Sequence, residues 1–207
     1  AQHILRTSNR CRRFKSAIFG NGVQWANMLP ADNSYDIVLE SPLGRLGARL
    51  QDKYITRLDY LGNRASLKPA TTPLGRQLAA QLAQYFADPH SRFALPVQLH
   101  GTDFQQRVWR ALIRIPPGKT FSYGELAAKL DSGARAVGNA CRNNPVSIIV
   151  PCHRVVSVSG IGGYSGKTDG REINRKQWLL RHEGALKTRH GAPTSGLSRS
   201  TQRNLPV

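Results

Sequence analysis

The chain has 207 residues, with 30 Lys and Arg against 12 Asp and Glu, a formal charge of +18. Hydrophobic residues make up 40% of it and charged residues 20%, enough to bury a core, which excludes full disorder and a fibre. No run approaches the roughly 18 apolar residues of a membrane span. Its three cysteines cannot all pair and form no disulfide framework, so a reduced, intracellular setting is expected.

The charge is unevenly placed. Residues 1–27 carry five basic residues and no acid, and residues 185–207 carry four and none. Between them, residues 28–100 hold eight basic and six acidic residues, whereas residues 101–184 hold thirteen and six. A field of this kind over the second half favours a polyanion, most simply nucleic acid; a merely basic, solvated surface is the plainer reading. Met28, the single methionine, stands just before the first strand-like run, so residues 1–27 read as an upstream extension. Because that stretch is Arg-rich and acid-free, an organelle transit peptide is the competing reading. The end from Lys187, rich in Ser, Thr, Gly, Pro and Arg, reads as a flexible tail.

Asp36 to Glu40 reads as a strand, Ser41-Pro42-Leu43-Gly44 as a turn, and Leu46–Leu50 with Ile55–Leu61 as the rest of a small antiparallel set. Leu74, Leu78, Leu82 and Tyr85/Phe86 form a helical stripe that Asp88-Pro89-His90 ends. Phe93 to Leu99 reads as a further extended piece. This first half holds no cluster of catalytic residue types and reads as a scaffold.

Thr102-Asp103-Phe104-Gln105 is a capping box opening a helix that buries Phe104, Val108, Leu112 and Ile115. Ile115-Pro116-Pro117-Gly118 stops that helix. Ser122-Tyr123-Gly124-Glu125 is a second capping box. It opens a short helix, followed by the turn Asp131-Ser132-Gly133 and another helix from Ala134 to Arg142. Two short helices joined by a Gly-containing turn form a helix-turn-helix pattern. The second of them carries Ala134, Ala136, Gly138 and Ala140 around Arg135. It lacks the long polar side chains that read bases in a major groove. A slim helix with one arginine suits close approach to a narrow groove, and tight helix packing explains the small residues equally well.

The run Ser147 to Val156 reads as a short apolar strand delivering Cys152 beside His153. A neighbouring imidazole and a positive field favour the reactive thiolate, while a buried structural cysteine is the simpler alternative. No second Cys or His lies at metal-ligand spacing. The glycine-rich loop Gly160–Gly166 implies close approach to something, or only a flexible turn. Asp169-Gly170-Arg171-Glu172 reads as the cap of a last helix. Glu183, just before the terminating Gly184, opposes the dipole of that helix, so a partner such as His153 is expected.

The ordered set Asn144-Pro145, Pro151-Cys152-His153-Arg154-Val155, Gly163-Tyr164-Ser165-Gly166 and Trp178-Leu179-Leu180-Arg181-His182-Glu183-Gly184 resembles the O6-alkylguanine-DNA alkyltransferases, over about residues 36–186. The resemblance implies an α+β protein: an N-terminal ribonuclease-H-like α/β domain at 36–100 and a C-terminal winged-helix-like domain at 101–186. Residues 1–35 would be a poorly ordered basic extension and 187–207 a flexible basic tail. It further implies single-use transfer of an alkyl group from guanine oxygen in double-stranded DNA to the protein's own cysteine, by a monomer without cofactor or membrane. The setting would be cytoplasmic and nucleoid-associated in a bacterium, nuclear in a eukaryote.

Under that resemblance Cys152 is the nucleophile, His153 its base acting through water, and Glu183 the residue that orients His153. Asn144 holds the turn, and Tyr123 meets a flanking phosphate and can donate a proton to the departing oxygen. Arg135 fills the gap left by the flipped nucleotide, with Ala134, Ala136, Gly138 and Arg142 along the DNA. Cys141, Val155, Tyr164, Ser165 and Lys176 line the base pocket. The turn at Asp131-Ser132-Gly133 is shorter than in many members, and the zinc ligands of some relatives are not evident. Two other classes are a winged-helix regulator, which would leave Cys152-His153 unexplained, and a damage sensor on the same fold, which would lack Cys152. A Cys-His hydrolase is chemically possible without any indicated substrate.

Overall fold

The computed structural model describes residues 35–186. The expectations for the upstream extension, Met28 and the tail lie outside those residues. Within them the protein is mixed α and β, with two small sheets and five α-helices. None of these helices is long and apolar enough to cross a membrane.

Strands β1 (Ile37–Leu39), β2 (Leu46–Gln51) and β3 (Tyr54–Tyr60) form an antiparallel sheet in sequence order. Its inner face contributes Ile37, Leu46, Ala48, Ile55 and Leu58, all at most 2% exposed. Helix α1 (Pro73–Ala87) starts where Pro73 sits in the first turn and the Thr72 side chain accepts from the Gly75 amide, an N-cap that satisfies an otherwise unpaired donor. Its buried stripe is Gly75, Leu78, Leu82 and Tyr85, the spacing of one helical face.

Helix α2 (Asp103–Ile113) and α3 (Tyr123–Lys129) both open with complete capping boxes, from Thr102 with Gln105 and from Ser122 with Glu125. Helix α2 buries Val108, Trp109 and Leu112. Phe104 is only half-buried, and Ile115 is buried beyond the helix end. Helix α4 (Ala134–Arg142) follows a turn in which Asp131 takes a φ of 51°, a left-handed conformation that Asp tolerates. A 3-10 turn (Cys152–Arg154) leads into β5 (Val155–Val156), which pairs in parallel with β4 (Phe121–Ser122). Helix α5 (Gly170–His182) closes the fold. Its Asp169 makes no side-chain cap hydrogen bond, contrary to the expectation from the sequence.

The two halves share one buried core, which runs from Ile37 through Tyr85 and Trp109 to Leu179. A backbone bridge crosses between them: Leu58 N–H donates to Pro145 O at 2.9 Å, and Ser147 N–H donates to Leu58 O at 3.1 Å. The central sheet is thereby tied to the turn that leads to Cys152.

Candidate active site and DNA-facing cleft

Cys152 is delivered differently from the expected strand. The apolar run before it folds into turns, and Cys152 opens the 3-10 turn that follows. Asn144 organises this. Its Oδ1 accepts from the Val146 amide at 3.1 Å, while its Nδ2 donates to Val150 O at 2.7 Å and to Cys152 Sγ at 3.2 Å. One side chain thus satisfies the turn and touches the sulfur. Ile148 inside this turn has a φ of 72°, a strained conformation for a β-branched residue.

Cys152 is 5% exposed and lies at the base of a cleft of about 880 Å³. Helix α4 contributes Arg135, Ala136, Gly138, Cys141 and Arg142 to the walls, and the facing loop contributes Gly163, Tyr164 and Ser165. Tyr123 lines the same cleft; Ala134, Val155 and Lys176 are not on its surface. Arg135 is exposed at the start of α4, flanked by exposed Ala134 and Ala136. Gly166 has a φ of +76°, and a Cβ there would come within 2.5 Å of Arg142 Nε. Glycine therefore lets the loop close over the Arg142 stem.

Behind Cys152 lies a buried polar relay. His153 (0% exposed) and Glu183 (3%) meet through Nε2 and Oε1 at 2.9 Å. Arg154 (7% exposed) grips both carboxylate oxygens, Nε to Oε2 at 2.9 Å and NH2 to Oε1 at 2.8 Å, and its NH1 also donates to Ile115 O. The Tyr85 hydroxyl, from α1, donates to the same Oε1 at 2.7 Å. Gly118 lets the chain pack on this end of α5: its φ is +76°, and a Cβ there would lie 2.9 Å from Glu183 O.

Burial works against the Glu183 carboxylate, but hydrogen bonds from His153 and Arg154 and the Arg154 charge hold it well below the usual range. An ionised carboxylate only accepts, so His153 Nε2 must carry the proton of this hydrogen bond. Burial holds His153 below its ordinary pKa, against the pull of Glu183, which leaves a neutral ring whose Nδ1 bears a lone pair. That Nδ1 is buried and bonded to no protein atom among the described residues. A base with a charged orienting group behind it is the arrangement of a nucleophile-activating triad. Burial pushes the Cys152 thiol up, while the Asn144 hydrogen bond and the Lys176 charge pull it back.

Lys176 is fully buried and donates to Val155 O at 2.6 Å and Gly163 O at 2.8 Å. Burial lowers it to about 8. It thereby fastens β5 to the facing loop, 5.7 Å from the centre of the Tyr123 ring. The half-buried Tyr123 donates its hydroxyl to Gly163 O at 3.1 Å, and burial raises its pKa, so the phenol keeps its proton. Tyr164 is buried, with its hydroxyl 3.1 Å from that of Tyr60 on β3. Cys141 is buried on α4, its thiol also pushed up by burial.

Sequence reasoning missed Arg154, Tyr85 and Tyr60. Arg154 follows His153 directly in the chain, but no local signal ties it to a carboxylate 29 residues away. Tyr85 and Tyr60 read as ordinary apolar positions of a helix and a strand.

A small-residue helix carrying Arg135 and Arg142 thus stands beside a buried cysteine, with a hydrogen-bonded imidazole and an ionised carboxylate behind it. A family profile described as "6-O-methylguanine DNA methyltransferase, DNA binding domain" matches residues 103–185. A Mycobacterium bovis methylated-DNA–protein-cysteine methyltransferase is 42% identical over 154 residues, covering 70% of this chain and 89% of that protein. The Salmonella typhimurium protein of the same name is 48% identical over 121 residues, 56% of this chain and 67% of its own. A crystal structure of Mycobacterium tuberculosis OGT in complex with DNA has a TM-score of 0.60 at 43% identity, covering 70% of this chain and 90% of that one. The chain belongs to the methylated-DNA–protein-cysteine methyltransferase family.

Proposed function

We propose that this protein repairs DNA by taking the alkyl group of O6-alkylguanine onto Cys152, once per molecule. The observation that carries the reading is the placement of Cys152 at the base of the cleft under α4, with His153 hydrogen-bonded to Glu183 behind it. Arg135 occupies the place of the extruded nucleotide, and the small residues Ala134, Ala136 and Gly138 let α4 approach the minor groove. Arg142 adds charge along the DNA. The flipped guanine enters between Tyr164, Ser165 and Cys141, on a wall that Val155 and Lys176 support from behind.

His153 takes the Cys152 proton through a water at Nδ1, and Glu183 stabilises the imidazolium. The sulfur attacks the alkyl carbon in line as the carbon–O6 bond breaks. The bonding electrons leave with the guanine oxygen, and the Tyr123 phenol is the available proton donor. Asn144 holds the sulfur in line. A thioether is a poor leaving group, so Cys152 is spent. The finer architecture we assign is a ribonuclease-H-like first domain and a winged-helix-like second domain, acting as a monomer without cofactor. Its place is with the genome: the nucleoid in a bacterium, the nucleus in a eukaryote.

Mixing the full chain with duplex DNA containing O6-methylguanine should add one methyl group, about 14 Da, to Cys152 and then stop, because a thioether does not release the methyl group again. Cys152→Ala should bind the same DNA and gain no mass. Turnover beyond one equivalent, or modification at Cys11 or Cys141 instead, overturns the reading.

A further inference from the structure

The first half of the chain reaches the reactive centre at a point the transfer chemistry above does not use. Glu183 Oε1 accepts three donors: the Tyr85 hydroxyl at 2.7 Å, Arg154 NH2 at 2.8 Å and His153 Nε2 at 2.9 Å. These donors share the negative charge of one oxygen, so what one draws is withheld from the others. Arg154 spans both oxygens and is sufficient to fix the carboxylate's direction. A bidentate guanidinium is the strongest orienting partner available to a carboxylate. The Tyr85 hydroxyl is therefore free to set the charge rather than the position.

Tyr85 is itself held independently of that hydroxyl. Its ring lies 5.5 Å from Phe86, 5.3 Å from Phe93 and 5.3 Å edge-on from His182. Its backbone oxygen lies 2.8 Å from His182 Nε2. Burial and the Glu183 charge raise its pKa, so it remains a donor at neutral pH. The other groups bearing on His153 are Glu183, Arg154 and Lys176, with Cys152 adjacent in the chain. Those bearing on Tyr85 are Glu183, Arg154, His182 and Tyr60.

We propose that Tyr85, a residue of the first half that acts through Glu183, restrains the proton affinity of His153, and so holds Cys152 in its thiol form. The proposal rests on Cys152 being the nucleophile of the proposed repair reaction. Its chemical sense follows from single use. A cysteine that cannot be regenerated is lost to every stray electrophile or oxidant it meets as a thiolate. A donor on the very carboxylate oxygen that His153 bonds keeps the resting sulfur protonated.

The sign of the effect distinguishes this from a structural role. Removing the hydroxyl leaves more charge for His153, which favours the imidazolium–thiolate pair. Removing the carboxylate charge does the opposite. The test is the rate of iodoacetamide reaction at Cys152 against pH, in the full chain, with the product mapped by peptide mass because Cys11 and Cys141 are also present. Tyr85→Phe should lower the apparent thiol pKa and speed the reaction at neutral pH by roughly two- to fivefold, while Glu183→Gln should raise the pKa and slow it. Site-specific 3-fluorotyrosine at position 85 keeps the packing and strengthens the donor, so it should slow the reaction; it decides the matter should Tyr85→Phe not fold. Profiles that coincide with the parent protein, or a slower Tyr85→Phe, overturn the proposal. Because iodoacetamide needs no DNA, a parent protein that takes no methyl from O6-methylguanine defeats the repair reading alone and leaves this result standing.

Discussion

On one side of Cys152, the buried His153 and Arg154 both bond the buried Glu183 carboxylate. On the other, Ala134, Arg135 and Ala136 stand exposed at the start of α4. The relay carries charge inside the protein, where each member depends on the others for its hydrogen bonds. The helix carries charge at the surface, where solvent replaces whatever a partner does not supply. A change in the first should therefore disturb folding and chemistry together. A change in the second should disturb only the handling of DNA.

The largest effect is expected where the relay loses its charge. Glu183→Gln leaves the Arg154 guanidinium buried without a counter-ion, which should cost about 3 kcal/mol of stability. It also removes the charge that stabilises the imidazolium, so methyl transfer at neutral pH should slow roughly ten- to hundredfold. The apparent pKa of Cys152 should rise, while affinity for DNA stays near that of the parent protein. Chemical denaturation, the rate–pH profile and a binding titration separate the three. If the rate–pH profile is unmoved while stability falls, Glu183 only fastens the end of α5, and the contrast between buried relay and exposed rim loses its chemical half.

That contrast was only partly legible in the sequence. The helices were, because their starts are written locally: Thr102 with Gln105 and Ser122 with Glu125 each satisfy two amide donors within four residues. The turn Asp131-Ser132-Gly133 and the small-residue face of α4 were readable for the same reason. The path to Cys152 was not. Ser147 to Val150 has the composition of a strand, but Asn144 and the bridge to Leu58 hold it in turns, and tertiary context overrides β-propensity. Glu183 was suspect because a carboxylate at a helix C-terminus is unfavourable, which led to His153. Arg154 and Tyr85 left no such mark. An arginine inside a basic half looks solvated, and a tyrosine on a helical stripe looks like core.

A smaller effect is expected at the rim. Arg135→Ala should change stability by no more than about 0.5 kcal/mol, since an exposed side chain leaves nothing unpaired. Repair of duplex O6-methylguanine should fall roughly tenfold, because extrusion costs a few kcal/mol that the inserted side chain offsets. Reaction with the free alkylated base should be unchanged, since no extrusion is needed. Binding to undamaged duplex should weaken with rising salt in both proteins, with a shallower slope in the variant if Arg135 also displaces counter-ions. Equal losses on duplex and free base would remove Arg135 from the role assigned to it.

The smallest effect separates the two sides by pH alone. His153 is held below its ordinary pKa by burial, so as pH falls below about 6.5 the unfolded chain takes up this proton before the folded protein does. Stability present above that pH should therefore decline as the solution becomes more acidic. Glu183, held well below the usual carboxylate range by His153 and Arg154 against the opposing effect of burial, adds a second loss. Its contribution is complete above about pH 4.3, the unfolded value, and is lost as pH falls toward the folded one. At the alkaline end Lys176, lowered to about 8 by burial, has the opposite consequence. Between that value and its unfolded pKa near 10.4 the unfolded chain holds the proton longer, so stability rises with pH. Urea midpoints from pH 4 to 9 should trace a decline on the acid side. Arg135→Ala should follow the same curve, because its charge is exposed in both states. A flat midpoint between pH 7 and 5 would mean that His153 is not kept neutral by the fold, and the relay would then have to be drawn with an imidazolium at rest.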